Sequence, residues 1–233
     1  MSSERFPAPA VVLFDIDGTL VRRIGPSHRE ALVEAVRQVT GLDTTTDGIP
    51  VQGMLDPDIL TQMMRAAGAR PAEIRRLMPA ILEAAQELFA ERCPALERKL
   101  CPGVRTLLKK LARAGIPAGL VTGNLSRIGW KKIERAGLEP YFHFGAFSEQ
   151  GPTRAALARL ALRQARQAGW IGRRTRIWLV GDHPNDVLAA RANRIGAIAV
   201  ATGLSSREEL AACGPDLLLD DLRQLKLSLL VAP

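Results

Sequence analysis

Four aspartates carry the chemistry that this sequence suggests first, because each pair of them follows a short apolar run. Asp15 and Asp17 come after the first run, and Asp182 and Asp186 come after a later one. Neighbouring carboxylates can divide nucleophilic attack from general acid and base work. If the four converge, their charges repel unless a hard cation neutralises them, and an all-oxygen ligand set suits Mg²⁺ better than zinc. The sequence therefore indicates a magnesium-dependent site built from carboxylates.

Small and hydroxyl-bearing residues stand near the same positions. Gly18 and Thr19 follow the first aspartate pair, and Thr122, Gly123 and Asn124 follow another apolar run. The backbone amides of such turns can approach phosphate oxygens closely. We therefore expect a substrate that presents a phosphate group to the cation.

The apolar runs predict the elements that position these residues. Short, uncharged runs rich in β-branched residues are typical of strands buried on both faces, and helical patterns separate most of them. Strand alternating with helix predicts an α/β fold with a Rossmann-like, doubly wound parallel sheet. Ligands of such sheets bind beyond the carboxyl ends of the strands, where all four aspartates would stand. The predicted strands cover residues 10–14, 116–121, 177–180, 195–201 and 217–219.

One connection is far longer than the others. Between about residues 20 and 100 the patterns are helical: Ser27 and Glu30 predict a capping box, Asp56 predicts an N-cap before a proline, and Pro71 opens a third helix. Connections within α/β units usually take about 2–6 residues. We therefore predict an all-helical unit of residues 21–99, inserted into an α/β core of residues 1–20 and 100–233.

Composition favours a folded enzyme and gives little sign of a macromolecular partner. The chain of 233 residues is 47% hydrophobic and 24% charged, which is ordinary for a globular protein. It lacks a signal-peptide pattern and a long apolar stretch, and its three cysteines fit neither a disulfide framework nor a zinc cluster. We expect a cytoplasmic protein with no membrane partner. The net charge of +8 is spread over short basic runs, interpreted as solvated helix faces, so nucleic acid is not an expected partner.

Three segments resemble the motifs of the haloacid dehalogenase superfamily in its phosphatase branch. Residues 15–20 (DIDGTL) resemble the first motif, residues 121–124 (VTGN) the second, and residues 181–186 (GDHPND) the fourth. The inserted helical unit resembles the C1-type cap of that superfamily. Residues 101–104 (CPGV) resemble the return to the core in its phosphoglycolate phosphatase-like members. The resemblance covers most of the chain.

The resemblance implies a role for each matching residue. Asp15 would be the nucleophile that forms an aspartyl phosphate, and Asp17 would act as general acid and then as general base. Mg²⁺ would be held by Asp15, Asp182 and the backbone carbonyl of Asp17. Asp186 would support the metal through water, or Asn185 nearby. Because expelling an alkoxide needs an acid and dehalogenation does not, Asp17 favours phosphate ester hydrolysis. The residues implied in phosphate and substrate binding are Gly18, Thr19, Thr122, Gly123 and Asn124.

The sequence departs from the family pattern at the third motif, which is usually a lysine. No lysine lies between Lys132 and Lys226. Arg154 is the best substitute, because it lies at the start of the helix that leads to the fourth motif. The alternatives are Arg159 or no replacement at all. Arginine would grip phosphate oxygens with a planar fork.

A second departure lies in the inserted unit, in the loop of residues 53–56 (GMLD). Related phosphatases often carry a glycine, a basic residue and a threonine before the aspartate, in a loop that faces the active site. Met54 and Leu55 offer neither charge nor hydroxyl, so they either select a substrate or pack the unit. The identity of the substrate, the oligomeric state and the role of His183 in the fourth motif stay open.

These observations predict a Mg²⁺-dependent phosphatase that hydrolyses a small phosphorylated metabolite through an aspartyl phosphate. A phosphomutase of the same fold is the first alternative, although the apolar loop lacks groups for binding a diphosphate. The second alternative is a binding or regulatory protein with little turnover, which the presence of both Asp15 and Asp17 disfavours.

Overall fold

The computed structural model describes residues 7–22 and 25–231, and its centre is a six-stranded sheet in which each neighbouring pair is parallel. The strand order is β3-β2-β1-β4-β5-β6, which places the first strand of the chain in the middle of the sheet. This is the predicted Rossmann-like α/β architecture. The strands are β1 (Ala10–Phe14), β2 (Ala118–Val121), β3 (Phe142–Ala146), β4 (Arg176–Gly181), β5 (Gly196–Val200) and β6 (Leu217–Leu219).

Strand β1 is buried on both faces, as its uninterrupted apolar sequence predicts. Val12 and Phe14 pack into the hydrophobic layer on one side of the sheet, and Val11 and Leu13 pack into the layer on the other side. Phe14 pairs with Leu120 of β2 and with Val180 of β4. The carboxyl ends of these three strands are therefore aligned at one edge, which brings together the residues that follow them.

Nine α-helices surround the sheet within the described residues. The layer that receives Val12 also contains apolar residues of α1 to α5 and α9, and the opposite layer contains residues of α6, α7 and α8. The helices are α1 (Ser27–Thr40), α2 (Asp56–Ala66), α3 (Pro71–Arg92), α4 (Val104–Arg113), α5 (Ser126–Arg135), α6 (Arg154–Gln167), α7 (Pro184–Ala192), α8 (Arg207–Ala212) and α9 (Leu227–Val231).

The long connection after β1 contains α1, α2 and α3, here called the inserted helices, and no named strand among its described residues. Helix α1 packs along α3. The chain leaves and re-enters the core side by side: the Arg22 amide donates to the Lys99 carbonyl at 2.7 Å, and the Cys101 amide donates to the Leu20 carbonyl at 3.0 Å. This placement supports boundaries near residues 21 and 99, which stay a prediction.

Two predicted caps are wrong. Helix α1 begins one residue earlier than a Ser27 cap requires: the Glu30 amide donates to the Pro26 carbonyl at 2.9 Å, and the buried Ser27 hydroxyl makes no hydrogen bond to any residue that the structure describes. At α2, Leu55 occupies the N-cap and Asp56 is the first helical residue. The carboxylate of Asp56 is engaged elsewhere, as shown below.

Strand β3 escaped prediction, because its sequence FHFGA interrupts the apolar run with histidine and glycine. The other strands match the predicted ones to within two residues at each end. Cys93, Cys101 and Cys213 are free thiols. Over residues 7–22 and 25–231, the helices lack the combination of length and hydropathy that a membrane crossing requires.

Candidate active site

Three of the four predicted aspartates form one cluster at the carboxyl edge of the sheet. Asp15 follows β1, Asp182 follows β4, and Asp186 lies in the first turn of α7. One carboxylate oxygen from each lies within 4.8 Å of the others, and the exposed fractions are 5%, 8% and 1%. The amide of His183 donates to Asp186 at 3.3 Å and helps to hold it there. The alignment of β1 with β4 therefore converts two distant sequence motifs into one buried anionic site.

Arg154 is the cation of this cluster. It is the first residue of α6, whose N-cap Thr153 accepts a hydrogen bond from the backbone. Its Nη1 donates to Asp15 Oδ1 at 3.0 Å and to the Val121 carbonyl at 3.3 Å, and its Nε lies 3.4 Å from Asp186 Oδ1. Arg159, the alternative, is exposed on the same helix. The structure therefore brings Arg154, and not Arg159, to the carboxylates.

The electrostatics of the cluster favour a bound cation. Burial raises the pKa of Asp15 against the opposing charge of Arg154, and burial with two neighbouring carboxylates raises the pKa of Asp182 well above its usual value. Burial also raises the pKa of Asp186 to about 7. One guanidinium cannot balance three carboxylates, so the cluster must hold protons or a cation.

The donor set fits a hard divalent ion. Asp186 Oδ1 is buried and makes no hydrogen bond among the described residues, although Arg154 Nε lies 3.4 Å away as an ion pair, so this oxygen keeps the capacity to accept a further partner. Carboxylate oxygens are the ligands that Mg²⁺ prefers. The residues present therefore fit a magnesium-type site.

Gly18 and Thr19 lie beneath Asp182. The Thr19 hydroxyl donates to Asp182 Oδ1 at 3.0 Å, and the Gly18 amide donates to the Val21 carbonyl at 2.8 Å. Gly18 has a φ of +83°, and a Cβ built there would collide with the Asp182 carboxylate. In this structure both residues support Asp182, and their role in phosphate binding stays a prediction.

Asp17 lies apart from the cluster and forms a second ionic group. Its carboxylate accepts from Lys132 Nζ at 2.6 and 2.8 Å and from Asn124 Nδ2 at 2.8 Å. Burial acts to raise the pKa of Asp17, but the charge of Lys132, the neighbouring His28 and these hydrogen bonds outweigh it and lower the pKa. Asp17 is therefore a carboxylate held by an ammonium, while 37% of its side chain stays exposed.

Lys132 is the principal site residue that sequence reasoning missed. Its place in the basic pair Lys131-Lys132 predicts a solvated side chain, yet the side chain is only 1% exposed, so that prediction is wrong for this residue. A signal was present in the sequence: Lys132 shares a helical face with Ile128 and Ile133, which are both buried. A lysine on an apolar stripe needs buried acceptors, and Asp17 is one of them.

The residues of the second motif lie between the cluster of Asp15, Asp182 and Asp186 and the ionic group of Asp17. The Thr122 hydroxyl accepts from Asn124 Nδ2 at 2.7 Å, and Thr122 is fully buried. Gly123 lies against the Met54 carbonyl so closely that any side chain would collide with it. The Gly123 carbonyl also accepts from the Asp56 amide at 2.9 Å. This turn is therefore the point at which the core touches the loop before α2.

Inserted helices and sheet edge enclose a cavity of about 400 Å³. Met54 lines the cavity, as the predicted position of its loop requires, and Asn185 Nδ2 donates to the Gly53 carbonyl at 2.9 Å. His183 also lines it and caps α7 by accepting from the Asn185 amide at 3.1 Å. Burial and Arg154 lower the pKa of His183. Of the predicted site residues, those that line the cavity are Asp15, Asp17, Gly18, Thr122, Gly123, Asn124, Arg154 and Asp182; Thr19 and Asp186 support them from behind.

Comparison with known proteins agrees with this geometry. The model of the haloacid dehalogenase-like hydrolase family matches residues 9–193. A phosphoglycolate phosphatase from Synechococcus elongatus is 30% identical over 212 residues, which cover 90% of this chain and 92% of that protein.

Solved structures share the fold at lower identity. A predicted phosphoglycolate phosphatase from Haemophilus somnus has a TM-score of 0.66 at 19% identity, covering 95% of this chain and 96% of that one. A β-phosphoglucomutase from Clostridium difficile has a TM-score of 0.68 at 17% identity, covering 94% of each chain. Fold, motifs and family match converge: the chain belongs to the haloacid dehalogenase-like hydrolase family and is an enzyme of its phosphoglycolate phosphatase-like branch.

Proposed function

We propose that this enzyme is a Mg²⁺-dependent phosphatase that hydrolyses a small phosphate monoester through an aspartyl phosphate on Asp15. The observation that carries the proposal is the buried cluster of Asp15, Asp182, Asp186 and Arg154 at the floor of a 400 Å³ cavity. An anionic cluster with a single arginine suits a cation and a phosphate together, and a second carboxylate, Asp17, faces the same cavity.

Asp15 is the proposed nucleophile. An oxygen of its carboxylate attacks phosphorus, the bond from phosphorus to the ester oxygen breaks, and the aspartyl phosphate forms. Arg154 Nη1, which donates to Asp15 Oδ1, lies where it can orient this carboxylate and bind phosphoryl oxygens. Thr122 and the Gly123 turn border the same space and are the proposed phosphate contacts, with Asn124 beside them.

Asp17 is the proposed acid and base. As an acid it gives its proton to the ester oxygen, which keeps the electron pair of the broken bond and leaves as the alcohol. As a base it takes a proton from the water that attacks the phosphorus of the aspartyl phosphate, which restores Asp15. The carboxylate form held by Lys132 suits the second step directly.

Asp15, Asp182 and Asp186 are the proposed metal-binding side chains, together with the backbone carbonyl of Asp17. Members of the family with phosphatase activity generally use a divalent metal. When bound, Mg²⁺ would withdraw charge from the phosphoryl oxygens. Its identity rests on the all-oxygen donor set.

The proposed substrate is a small phosphorylated metabolite that the inserted helices, acting as a cap, enclose. The relative from Synechococcus elongatus is a phosphoglycolate phosphatase, which makes phosphoglycolate the first ester to test. Met54 in the cavity wall provides no charge for a carboxylate, whereas Arg29 also lines the cavity and could provide one. A metabolite of this kind and three free cysteines support a cytoplasmic setting.

The test is phosphate release from phosphoglycolate, sugar phosphates and nucleotides, in Mg²⁺ or in EDTA. Wild type is compared with Asp15→Asn and with Asp43→Asn, a control at an exposed aspartate of the long connection. We expect metal-dependent release that Asp43→Asn keeps and Asp15→Asn loses. Release that survives in Asp15→Asn would contradict the assigned nucleophile.

A phosphomutase is the second candidate, since the fold is also that of a β-phosphoglucomutase. The apolar contribution of Met54 to the cavity disfavours a diphosphate. Formation of an isomeric sugar phosphate without free phosphate would establish the mutase instead. No turnover of any ester by folded, Mg²⁺-binding protein would favour a binding role.

A further inference from the structure

Helix α5 begins with backbone donors that residues outside the helix must satisfy. Its N-cap is Leu125, whose side chain cannot accept a hydrogen bond. The Leu125 amide donates to Asp56 Oδ2 at 2.8 Å, and the Arg127 amide donates to Gln86 Oε1 at 3.0 Å. Asp56 belongs to α2 and Gln86 to α3, so two inserted helices cap the start of a core helix.

About two turns further on, the same helix carries Lys132 into contact with α1 and, for a second time, with α3. Its Nζ lies 3.3 Å from His28 Nδ1 of α1 and 5.7 Å from the centre of the Phe89 ring of α3. The ammonium has three protons, and its acceptors are Asp17, Asn124 and His28. Every donor is therefore used, and one of its partners comes from the inserted helices.

His28 links the two ends of α5. Its Nε2 lies 3.2 Å from Asp56 Oδ2, the oxygen that also caps Leu125. Because Nδ1 faces the Lys132 ammonium, it must accept, and Nε2 then donates to Asp56. A continuous chain of hydrogen bonds runs from Asp56 through His28 and Lys132 to Asp17.

We propose that Lys132 is a positioning residue that sets the carboxyl of Asp17 for catalysis only while the inserted helices lie over the sheet, with α5 transmitting their position. Lys132 reaches both oxygens of Asp17, and Asn124 reaches one of them, so rotation of the carboxyl group is restricted. Displacing the inserted helices removes the His28 and Phe89 contacts and uncaps α5. This proposal rests on the proposed function, in which the Asp17 proton goes to the ester oxygen as its bond to phosphorus breaks and the bond from Asp15 forms.

A positioning role for Lys132 predicts that the loss of activity in a Lys132 variant depends on the leaving group of the ester, whereas a general structural role predicts equal losses. An alkyl ester needs the Asp17 proton when its bond to phosphorus breaks, whereas p-nitrophenolate leaves without one. The experiment measures kcat/KM for p-nitrophenyl phosphate and for the best alkyl ester of the panel. The variants are Lys132→Met and the control Lys131→Met, a partly exposed lysine of α5 whose partner is Glu134.

We expect Lys132→Met to lower kcat/KM about 100-fold for the alkyl ester and less than about threefold for the aryl ester. Lys131→Met should leave both unchanged. Equal losses on the two esters, or no loss, would overturn the proposal. If Lys132→Met fails to unfold cooperatively, Lys132→Gln replaces it, since the amide keeps a donor without the charge.

The contribution of the inserted helices is tested with His28→Ala. We expect a selective loss of about tenfold on the alkyl ester, and no further loss when His28→Ala is added to Lys132→Met, because both act through Asp17. Losses that multiply would show that His28 acts independently and would overturn the transmission through Lys132. A wild type that hydrolyses neither ester would refute the proposed function itself, which is a different result from an active enzyme with an unchanged ester ratio.

Discussion

The two ionic groups that face the cavity differ in whether the protein alone completes them. The cluster of Asp15, Asp182 and Asp186 has three carboxylates against one guanidinium, and it leaves Asp186 Oδ1 without a hydrogen bond. The group around Lys132 has an acceptor for each ammonium proton. The first group therefore needs protons or a cation to balance its charge, which is what the proposed function assigns to it, and the second holds one carboxylate in place.

This comparison predicts that metal dependence belongs to the side chains of the first group and not to those of the second. Asp182→Asn should lower phosphate release about 1,000-fold and weaken the apparent Mg²⁺ affinity, because it removes a charged ligand. Asp56→Asn, in the second group, should leave the Mg²⁺ affinity unchanged. Titration of activity with Mg²⁺ measures both, and equal shifts in the two variants would contradict the division.

The catalytic rate should depend on both the charge and the shape of the side chain at position 154. Arg154→Met leaves Asp15 without its cation and should lower kcat/KM about 100-fold, whereas Arg154→Lys keeps the charge but loses the fork and should cost about tenfold. Steady-state kinetics of the two variants beside wild type tests this order. A lysine variant as poor as the methionine variant would show that geometry outweighs charge.

The two ionic groups should also differ in how they make the free energy of unfolding depend on pH. Without metal, Asp186 keeps its proton up to about pH 7 in the folded state and loses it near its ordinary pKa when unfolded. The folded state then binds more protons between about pH 4 and pH 7, so stability falls as pH rises, by about 4 kcal/mol over the whole range. Asp17, whose pKa is lowered, acts in the opposite direction and only at lower pH.

Urea unfolding in EDTA at about pH 5 and pH 7.5 measures this slope. Asp186→Asn should make the slope shallower, because Asp15 and Asp182 still contribute to it, and saturating Mg²⁺ should flatten it because the metal displaces the protons. A metal-free protein that is more stable at the higher pH would argue against a proton-holding cluster.

The smallest expected effect concerns the contact between the core and the inserted segment. Gly123→Ala places a methyl group against the Met54 carbonyl, which is backbone and cannot rotate away. We expect a loss of about 1 kcal/mol in stability and a raised KM, since the loop must move out of the cavity wall. The control is Ala112→Gly, at an exposed position of α4, which lowers helix stability without touching the cavity.

The sequence predicted the first group well and the second poorly. Asp15 and Asp182 follow strands whose apolar runs are unbroken, so the parallel-sheet rule places them at one edge. The contact between Lys132 and His28 cannot be predicted from a local sequence pattern, because 104 positions separate the two residues. The buried stripe of α5 shows that Lys132 is inside, but only the packing of the inserted helices shows what it touches.

Predictions from local sequence patterns were wrong where the residue makes a tertiary contact instead of the local one. Asp56 has the composition of an N-cap, yet its carboxylate caps α5 instead of α2. Strand β3 pairs with β2 at the edge of the sheet although glycine and histidine weaken its pattern. In both cases the decisive partner lies far away in the sequence.

The aspartyl phosphate on Asp15 is the central claim, and trapping it is the most direct test. Enzyme mixed with its best ester is quenched in acid and reduced with borohydride, which converts an acyl phosphate to an alcohol, and the peptide containing residue 15 is then analysed by mass spectrometry. We predict homoserine at position 15 in the wild type and unmodified Asp15 without substrate. Phosphate release with position 15 unmodified, or modification at another carboxylate, would contradict the account.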